Sequence, residues 1–349
     1  MIDQVYRLLE EIRREHAPDP RLAVFEIDAT RHGSTIVFFG ACSVPAAVEA
    51  LHAGIAGLDM HLEIRDEVVR LPTDTADIQP HALVTAATAP MLAGPLISES
   101  HLSQTLLGHR VTVLREHGRW RQCRSMDGYI GWIHRGYLRP VSETEARSWE
   151  LGGEGELHMS LGAEIVDAEG AVIARLPWGA RAIVVDGRVV LPDGRSGAAR
   201  GELIPFTKLH ASFPPTGAAI ASTAVSWQGA PYLWGGITPW GCDCSGLVQA
   251  VFRTHGIEMP RDSDQQAERG EEVAVDRKFS GLLPGDLLFF AEVRDRISHV
   301  AISRGGSRIV HSAVGTGGVS VTDLLADSSY EQELRGLLVT VRRIVSPGS

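Results

Sequence analysis

Four cysteines, Cys42, Cys123, Cys242 and Cys244, are spread over 349 residues, and one has a reactive setting. Asp243-Cys244-Ser245-Gly246 stands directly before apolar residues at helical spacing, Leu247, Val248, Val251 and Phe252. That spacing places Cys244 in the first turn of a helix. The unpaired N–H groups and the dipole there favour a thiolate, and the same groups can hold a developing oxyanion. A thiol nucleophile needs a base. Ser298-His299-Val300-Ala301-Ile302-Ser303 sets His299 at the start of a short apolar strand, and His311 follows Ile309-Val310 at the edge of another. His311 can accept a hydrogen bond from His299, which fixes the tautomer of His299 and leaves its other nitrogen to face sulfur.

Other chemistry is open to the same residues. Cys242, Cys244, His299 and His311 could be four zinc ligands, although Cys-x-Cys is an uncommon zinc spacing. Most free cysteines are small buried hydrophobes, and Cys242 reads as one of these behind the loop. A non-catalytic binding protein is a third reading, against which the intact Cys/His/His set argues. The expectation is a cysteine hydrolase with no metal and no cofactor. His101, His109 and His134 read as surface or barrel residues.

The elements that must position this chemistry form four regions. Residues 1–77 read as a small α/β unit: a helix at Ile2–Glu15, strands at Leu22–Ala29 and Ser34–Phe39, a helix at Pro45–Ala56 and a strand at His61–Val69. Residues 78–140 carry short strands at Ala82–Ala87, Arg110–Glu116, Trp120–Arg124 and Tyr129–His134, the spacing of a small barrel. Residues 141–207 read as a degraded second copy, because Gly179–Val185 parallels His109–Leu114 and Leu191–Gly197 parallels the Asp127–Gly131 turn. After the linker Phe213-Pro214-Pro215-Thr216-Gly217, residues 215–345 give helices at Ala218–Gln228 and Ser245–His255. Strands at Asp286–Phe290, His299–Ser303, Arg308–Ser312 and Leu337–Ile344 follow, an α+β layout.

The formal net charge of −10 argues against nucleic-acid binding, which calls for a basic face. No run approaches the ~20 apolar residues of a membrane span, and the N-terminus has no basic and apolar export pattern. A cytoplasmic protein without membrane partners is expected, with export behind a trimmed signal as the alternative. Oligomeric state is not legible.

Pro231-Tyr232-Leu233-Trp234-Gly235-Gly236, Asp243-Cys244-Ser245-Gly246, Pro260-Arg261-Asp262-Ser263 with Gln266, Leu283-Pro284-Gly285-Asp286, His299-Val300-Ala301-Ile302 and Val310-His311-Ser312 resemble, in order, the signatures of NlpC-type cell-wall peptidases. Asp127-Gly128-Tyr129-Ile130-Gly131-Trp132 resembles the run that crosses bacterial SH3-like barrels. The resemblance implies a papain-like α+β catalytic domain behind two SH3-like barrels. It implies a Cys244, His299 and His311 triad, Tyr232 beside the nucleophile, and Asp243, Ser245 and Ser263 along the substrate groove. The paired barrels are similar to those of γ-D-glutamyl-L-diamino-acid endopeptidases of the dipeptidyl-peptidase VI type. These act on peptidoglycan-derived tri- or tetrapeptides with a free N-terminal L-Ala. That likeness implies Glu99 and Tyr129 as substrate contacts. The alternative is a remodelling autolysin that cuts intact murein.

Overall fold

The structure, a computed structural model, describes residues 2–57, 63–73, 79–293 and 296–346. Helix α1 (Ile2–His16) buries Val5, Leu9 and Ile12, a one-sided stripe, and carries Asp3 in its first turn and Arg13, Arg14 and His16 in its last. Those charges complement the helix dipole. The stripe packs on Ile36 and Phe38 of a hairpin, β1 (Asp28–His32) and β2 (Thr35–Cys42), and on Ala47, Val48 and Leu51 of α2 (Pro45–Gly57). Strand β3 (Glu63–Arg70) then pairs parallel with β2, as a crossover through a helix permits. The strand expected over Leu22–Ala29 begins only at Asp28. The Asp19 carbonyl accepts the N–H groups of Leu22 and Ala23, a turn that withdraws those residues from the ladder.

Seven strands follow: β4 (His81–Val84), β5 (Thr88–Leu92), β6 (His101–Leu106), β7 (Arg110–His117), β8 (Trp120–Arg124), β9 (Ile130–His134) and β10 (Leu138–Val141). Strands β7, β8 and β9 form an antiparallel meander, to which β4 and β5 add. Sequence reading missed β5 and β6. Pro90 inside β5 argues against a strand, and β6 alternates weakly.

The chain divides into two compact units, one of residues 1–83, 91–100 and 110–147 and one of 84–90, 101–109 and 148–349. Strand β6 therefore belongs with the C-terminal unit, and the reason is visible in its core. After α3 (Glu143–Glu150), strands β11 (Glu156–Val166), β12 (Val172–Leu176), β13 (Arg181–Val185), β14 (Arg188–Val190) and β15 (Ser196–Pro205) form a sheet. It closes because β11 pairs with both β13 and β15. Leu106 and Leu107 complete its interior beside Ile165, Leu176 and Leu191. Gly108 must be glycine there: its φ is +80°, and a Cβ would lie 1.9 Å from the Arg181 carbonyl oxygen.

The rest of the C-terminal unit begins with α4 (Leu209–Ser212) and α5 (Gly217–Ser226), the latter capped by Thr216, whose Oγ1 accepts the Ala219 N–H. A two-stranded ribbon, β16 (Ile237–Thr238) and β17 (Gly241–Cys242), leads into α6 (Cys244–Thr254) and α7 (Ser263–Ala267). Strands β18 (Glu271–Glu272), β19 (Pro284–Phe290), β20 (His299–Arg304), β21 (Arg308–Ala313), β22 (Gly318–Asp323) and β23 (Leu338–Arg343) form an antiparallel sheet in the order 18-23-19-20-21-22. One face, with Leu287, Phe289, Val300 and Ile302, packs on α5 and α6; the other, with Leu288, Phe290 and Ala301, meets Leu334 of α8 (Ser329–Gly336). Strand β22 and helix α8 were not anticipated.

Asp286 of β19 is buried, and both its oxygens accept from Arg343 of β23 at 2.7 Å. Arg343→Met strands that carboxylate without a countercharge. A loss of about 3–5 kcal/mol is expected, read as a shift in the urea midpoint, with a smaller loss for Asp286→Asn.

Candidate active site

Cys244 is the first residue of α6, and Asp243 is its N-cap. Asp243 Oδ1 accepts the Gly246 N–H at 2.7 Å, and Oδ2 accepts the Gly235 N–H at 2.8 Å. One carboxylate thus fixes the helix start and the Tyr232–Gly236 loop together. The loop and helix approach so closely that a Cβ on Gly246 would lie 2.0 Å from the Gly236 carbonyl oxygen.

Arg261, fully buried, grips the same carboxylate in a fork. Its NH2 group donates to Oδ2 at 2.6 Å and its NH1 group to Oδ1 at 3.1 Å. NH1 also donates to Ser245 Oγ at 2.9 Å, and Nε to Ser103 Oγ of β6 at 2.9 Å. Gln104 of β6 accepts the Ile237 N–H at 3.4 Å, and the His101 ring lies against Gly235. Strand β6 is therefore a wall of the catalytic loop.

The backbone N–H groups of Ser245 and Val300 are directed at the Cys244 sulfur. Val300 directly follows His299 on β20, so the sulfur sits at the strand end that carries His299. His299 Nε2 lies 2.9 Å from His311 Nδ1 on β21, and His311 Nε2 lies 3.0 Å from Thr322 Oγ1 on β22. The relay runs across three neighbouring strands. If Nε2 of each ring carries the proton, His299 donates to His311 and His311 to Thr322. That leaves His299 Nδ1 free to take a proton from sulfur.

Tyr232 is half-buried in the loop, near Cys244 and Asp243. Ser263, buried, opens α7 beside Gln266, whose Nε2 donates to the Ser245 carbonyl at 3.0 Å and the Pro260 carbonyl at 2.8 Å. Cys242 is buried, and its carbonyl accepts from Ser312 Oγ. The C-terminal unit thus brings together Cys244, His299, His311, Tyr232, Asp243 and Ser245, while Ser263 opens the neighbouring helix α7, whose Gln266 reaches the Ser245 carbonyl. Glu99 and Tyr129 belong to the other unit. Glu99 is exposed with its carboxyl over Gly94, and Tyr129 is buried where the Ser125–Tyr129 turn enters β9. Arg261, Ser103 and Thr322 received no role from sequence. Arg261 stood in a recognised string, but its partner Ser103 lies in the strand that went unread.

Residues 229–338 match the NlpC/P60 family, and residues 91–138 match the bacterial dipeptidyl-peptidase SH3 domain. The chain carries an NlpC/P60 cysteine-peptidase domain. It is similar to a γ-D-glutamyl-L-lysine dipeptidyl-peptidase of Bacillus cereus, 29% identical over 66% of this chain and 72% of that protein. A protein of the same name from Bacillus subtilis is also 29% identical, over 66% of this chain and 78% of its own length. The crystal structure of an NlpC/P60 family protein from Bacillus cereus shares the fold, with a TM-score of 0.61 over 76% of this chain and 100% of that one, at 22% identity.

The electrostatics of the NlpC/P60 site correct one expectation. A standing thiolate was expected at the helix start. Instead, burial and the charge of Asp243 push the Cys244 thiol up to about 12, against the smaller help of the Val300 and Ser245 N–H groups and Arg261. Burial, with the neighbouring His311 ring, pushes His299 far down, and burial does the same to His311. The resting pair is a neutral thiol beside a neutral imidazole. Burial, then the charges of Cys244 and Asp243, raise the Tyr232 phenol, which stays a protonated donor.

Two outcomes follow. Both histidines are harder to protonate folded than unfolded, so their neutral burial costs nothing above the ordinary value of 6.5. As pH falls from 6.5 towards about 4, the unfolded chain gains protons that the native one refuses, and stability drops through that window. Thermal unfolding of His311→Gln should show a shallower decline between pH 7 and pH 4.5 than wild type; an equal decline refutes this account. Arg261→Met leaves Asp243 buried and unpaired, a cost of about 3–5 kcal/mol, and removes a charge that lowers the thiol pKa. Slower alkylation of Cys244 at fixed pH, in protein with native circular dichroism, is the expected signature.

Proposed function

We propose that this chain hydrolyses the γ-D-Glu–L-diamino acid bond of peptidoglycan-derived tri- or tetrapeptides with a free N-terminal L-Ala, and releases L-Ala-γ-D-Glu. The observation that carries the reading is the relay His299–His311–Thr322, which starts one residue before the Val300 N–H that meets the sulfur of Cys244 at the start of a capped helix. The two similar dipeptidyl-peptidases and the SH3 match support the substrate class.

In this reading Cys244 Sγ attacks the γ-carbonyl carbon while its proton passes to His299 Nδ1. The tetrahedral oxyanion takes hydrogen bonds from helix-start N–H groups and the Tyr232 hydroxyl. Collapse breaks the C–N bond, and the departing amine of the diamino acid takes the proton from His299. Water then attacks the thioester with His299 as base, which frees the dipeptide and restores the thiol. His311 and Thr322 hold the imidazole in its productive tautomer. Asp243, Ser245 and Ser263 line the groove. A recycling role would place the reaction in the cytoplasm. Among the described residues, no helix is long and apolar enough to cross a membrane.

A dipeptide-releasing enzyme must close one end of its groove. Glu99 is our candidate for the carboxylate that receives the L-Ala ammonium, with Tyr129 as its partner. A charge-assisted hydrogen bond of this kind contributes ~1.5–3 kcal/mol, so Glu99→Gln should lower kcat/KM on the free peptide roughly 10- to 100-fold.

Mass spectrometry of digests of L-Ala-γ-D-Glu-meso-diaminopimelate and its lysine analogue tests the whole reading. The dipeptide should appear with both EDTA-treated and untreated enzyme and vanish with Cys244→Ala. His299→Ala should approach the same loss, and His311→Ala should retain more activity. N-acetylated peptide should resist cleavage. Efficient cutting of intact murein would favour the autolysin, and EDTA inhibition reversed by zinc would favour a metal site.

A further inference from the structure

A cavity of about 230 Å³ opens at the far end of the catalytic helix, within the C-terminal unit. Arg253, in the last turn of α6, lines it together with Arg181, the first residue of β13. Met159 and Leu209 give it apolar surface. The two guanidinium groups face one interior. Burial, then the charge of Arg253, lowers the Arg181 pKa to about 10.

The Arg181 guanidinium lies over the Phe206 ring, 5.0 Å from its centre. Among the described residues, no side-chain hydrogen bond or ion pair closes on it. Glu258, largely exposed at the rim, pairs with Arg253 Nε at 3.6 Å, and Arg253 has a further contact of its own. Glu150 is the other carboxylate that acts on Arg181, and it is outside the lining. Arg181 is half-buried and lines the open cavity, so water there is what a ligand's oxyanion would replace on the guanidinium. A planar fork beside a second cation matches an oxyanion that can take two N–H groups at once. The space exceeds several water volumes of ~30 Å³ each, so it has room for an organic acid rather than a lone halide.

We propose that this cavity is a second binding site, for a small organic anion whose carboxylate or phosphate group is held between Arg181 and Arg253. The hydrocarbon part of the ligand rests on Met159 and Leu209. The site is separate from the Cys244 centre, since the two lie at opposite ends of α6.

Succinate and inorganic phosphate are the probes, one for each anion type. Isothermal titration of the full chain should give saturable one-to-one binding of at least one of them. The same anion should protect Arg181 from phenylglyoxal, followed by peptide mass spectrometry in the unmodified protein. Arg181→Met and Arg253→Met should each weaken binding ~10-fold or more. Cleavage of the stem peptide should continue in both. Should Arg181→Met fold poorly, Arg181→Lys keeps the charge and loses the fork, and should also bind more weakly. If neither anion slows modification of Arg181, or if binding survives both substitutions, there is no such site.

Discussion

The active site hangs on one buried ion pair. Asp243 and Arg261 are both nearly free of solvent, and their contact ties four segments to a point. Through Asp243 the pair fixes the start of α6 and the loop at Gly235. Through Arg261 it takes hold of Ser245 and Ser103. Such a pair need not stabilise the fold relative to apolar residues of the same shape, because desolvation offsets the attraction. Its consequence is directional. A bidentate fork whose NH1 and Nε groups also bind Ser245 and Ser103 restricts the arrangement of loop and helix, and with it the position of the sulfur. An Asp cap alone would stop the helix without aligning the loop.

The same pair sets the chemical problem of the site. A negative charge one residue before the nucleophile opposes a second one, and burial opposes it further. Arg261 answers part of that charge, and the N–H groups of Ser245 and Val300 answer the local field at sulfur. The balance still leaves a thiol at rest. Neutral His299 is free to act as a base, and ionising sulfur and imidazole together creates two opposite charges that attract rather than two isolated ones. The cost of that step falls only when a carbonyl is present to accept the electrons. A thiol that ionises on demand is also less exposed to alkylation and oxidation between turnovers.

What was legible in the sequence followed from local rules. Cys244 at a helix start, His299 at a strand start and the helices α1, α2 and α6 each rest on a cap or a spacing, and each is where those signals put it. Strands β5 and β6 were not legible, for Pro90 and a polar alternation conceal them. Missing β6 hid the roles of Ser103 and Gln104, whose contacts depend on burial against a loop more than a hundred residues away. Thr322 was hidden in the same way, because β22 was not read and its side chain acquires meaning only beside His311. The thiolate expectation failed for a different reason. Helix position and charge sign are visible in a sequence, whereas desolvation is a property of the assembled site.

The two ends of α6 show why the peptidase fold here is not a free-standing module. At its N-terminus, strand β6 holds the groups that fix the cap: Ser103 binds Arg261, the partner of Asp243, and Gln104 binds the Ile237 N–H of the preceding ribbon. Its C-terminus is held by the closed sheet β11–β15, where the Trp178 indole N–H donates to Thr254 Oγ1 at 2.9 Å and the Trp178 ring meets Trp227 edge-on. Leu106 and Leu107, which follow Ser103 on the same segment, sit inside that sheet. One short strand therefore braces the catalytic loop with its polar side chains and closes a neighbouring core with its apolar ones. A slip of one residue would take Ser103 from Arg261 and move Leu106 and Leu107 out of that core, so the segment is fixed at two points. Rigid support at each end of the nucleophile's helix is what allows the sulfur to be aimed by a fold and not by the substrate.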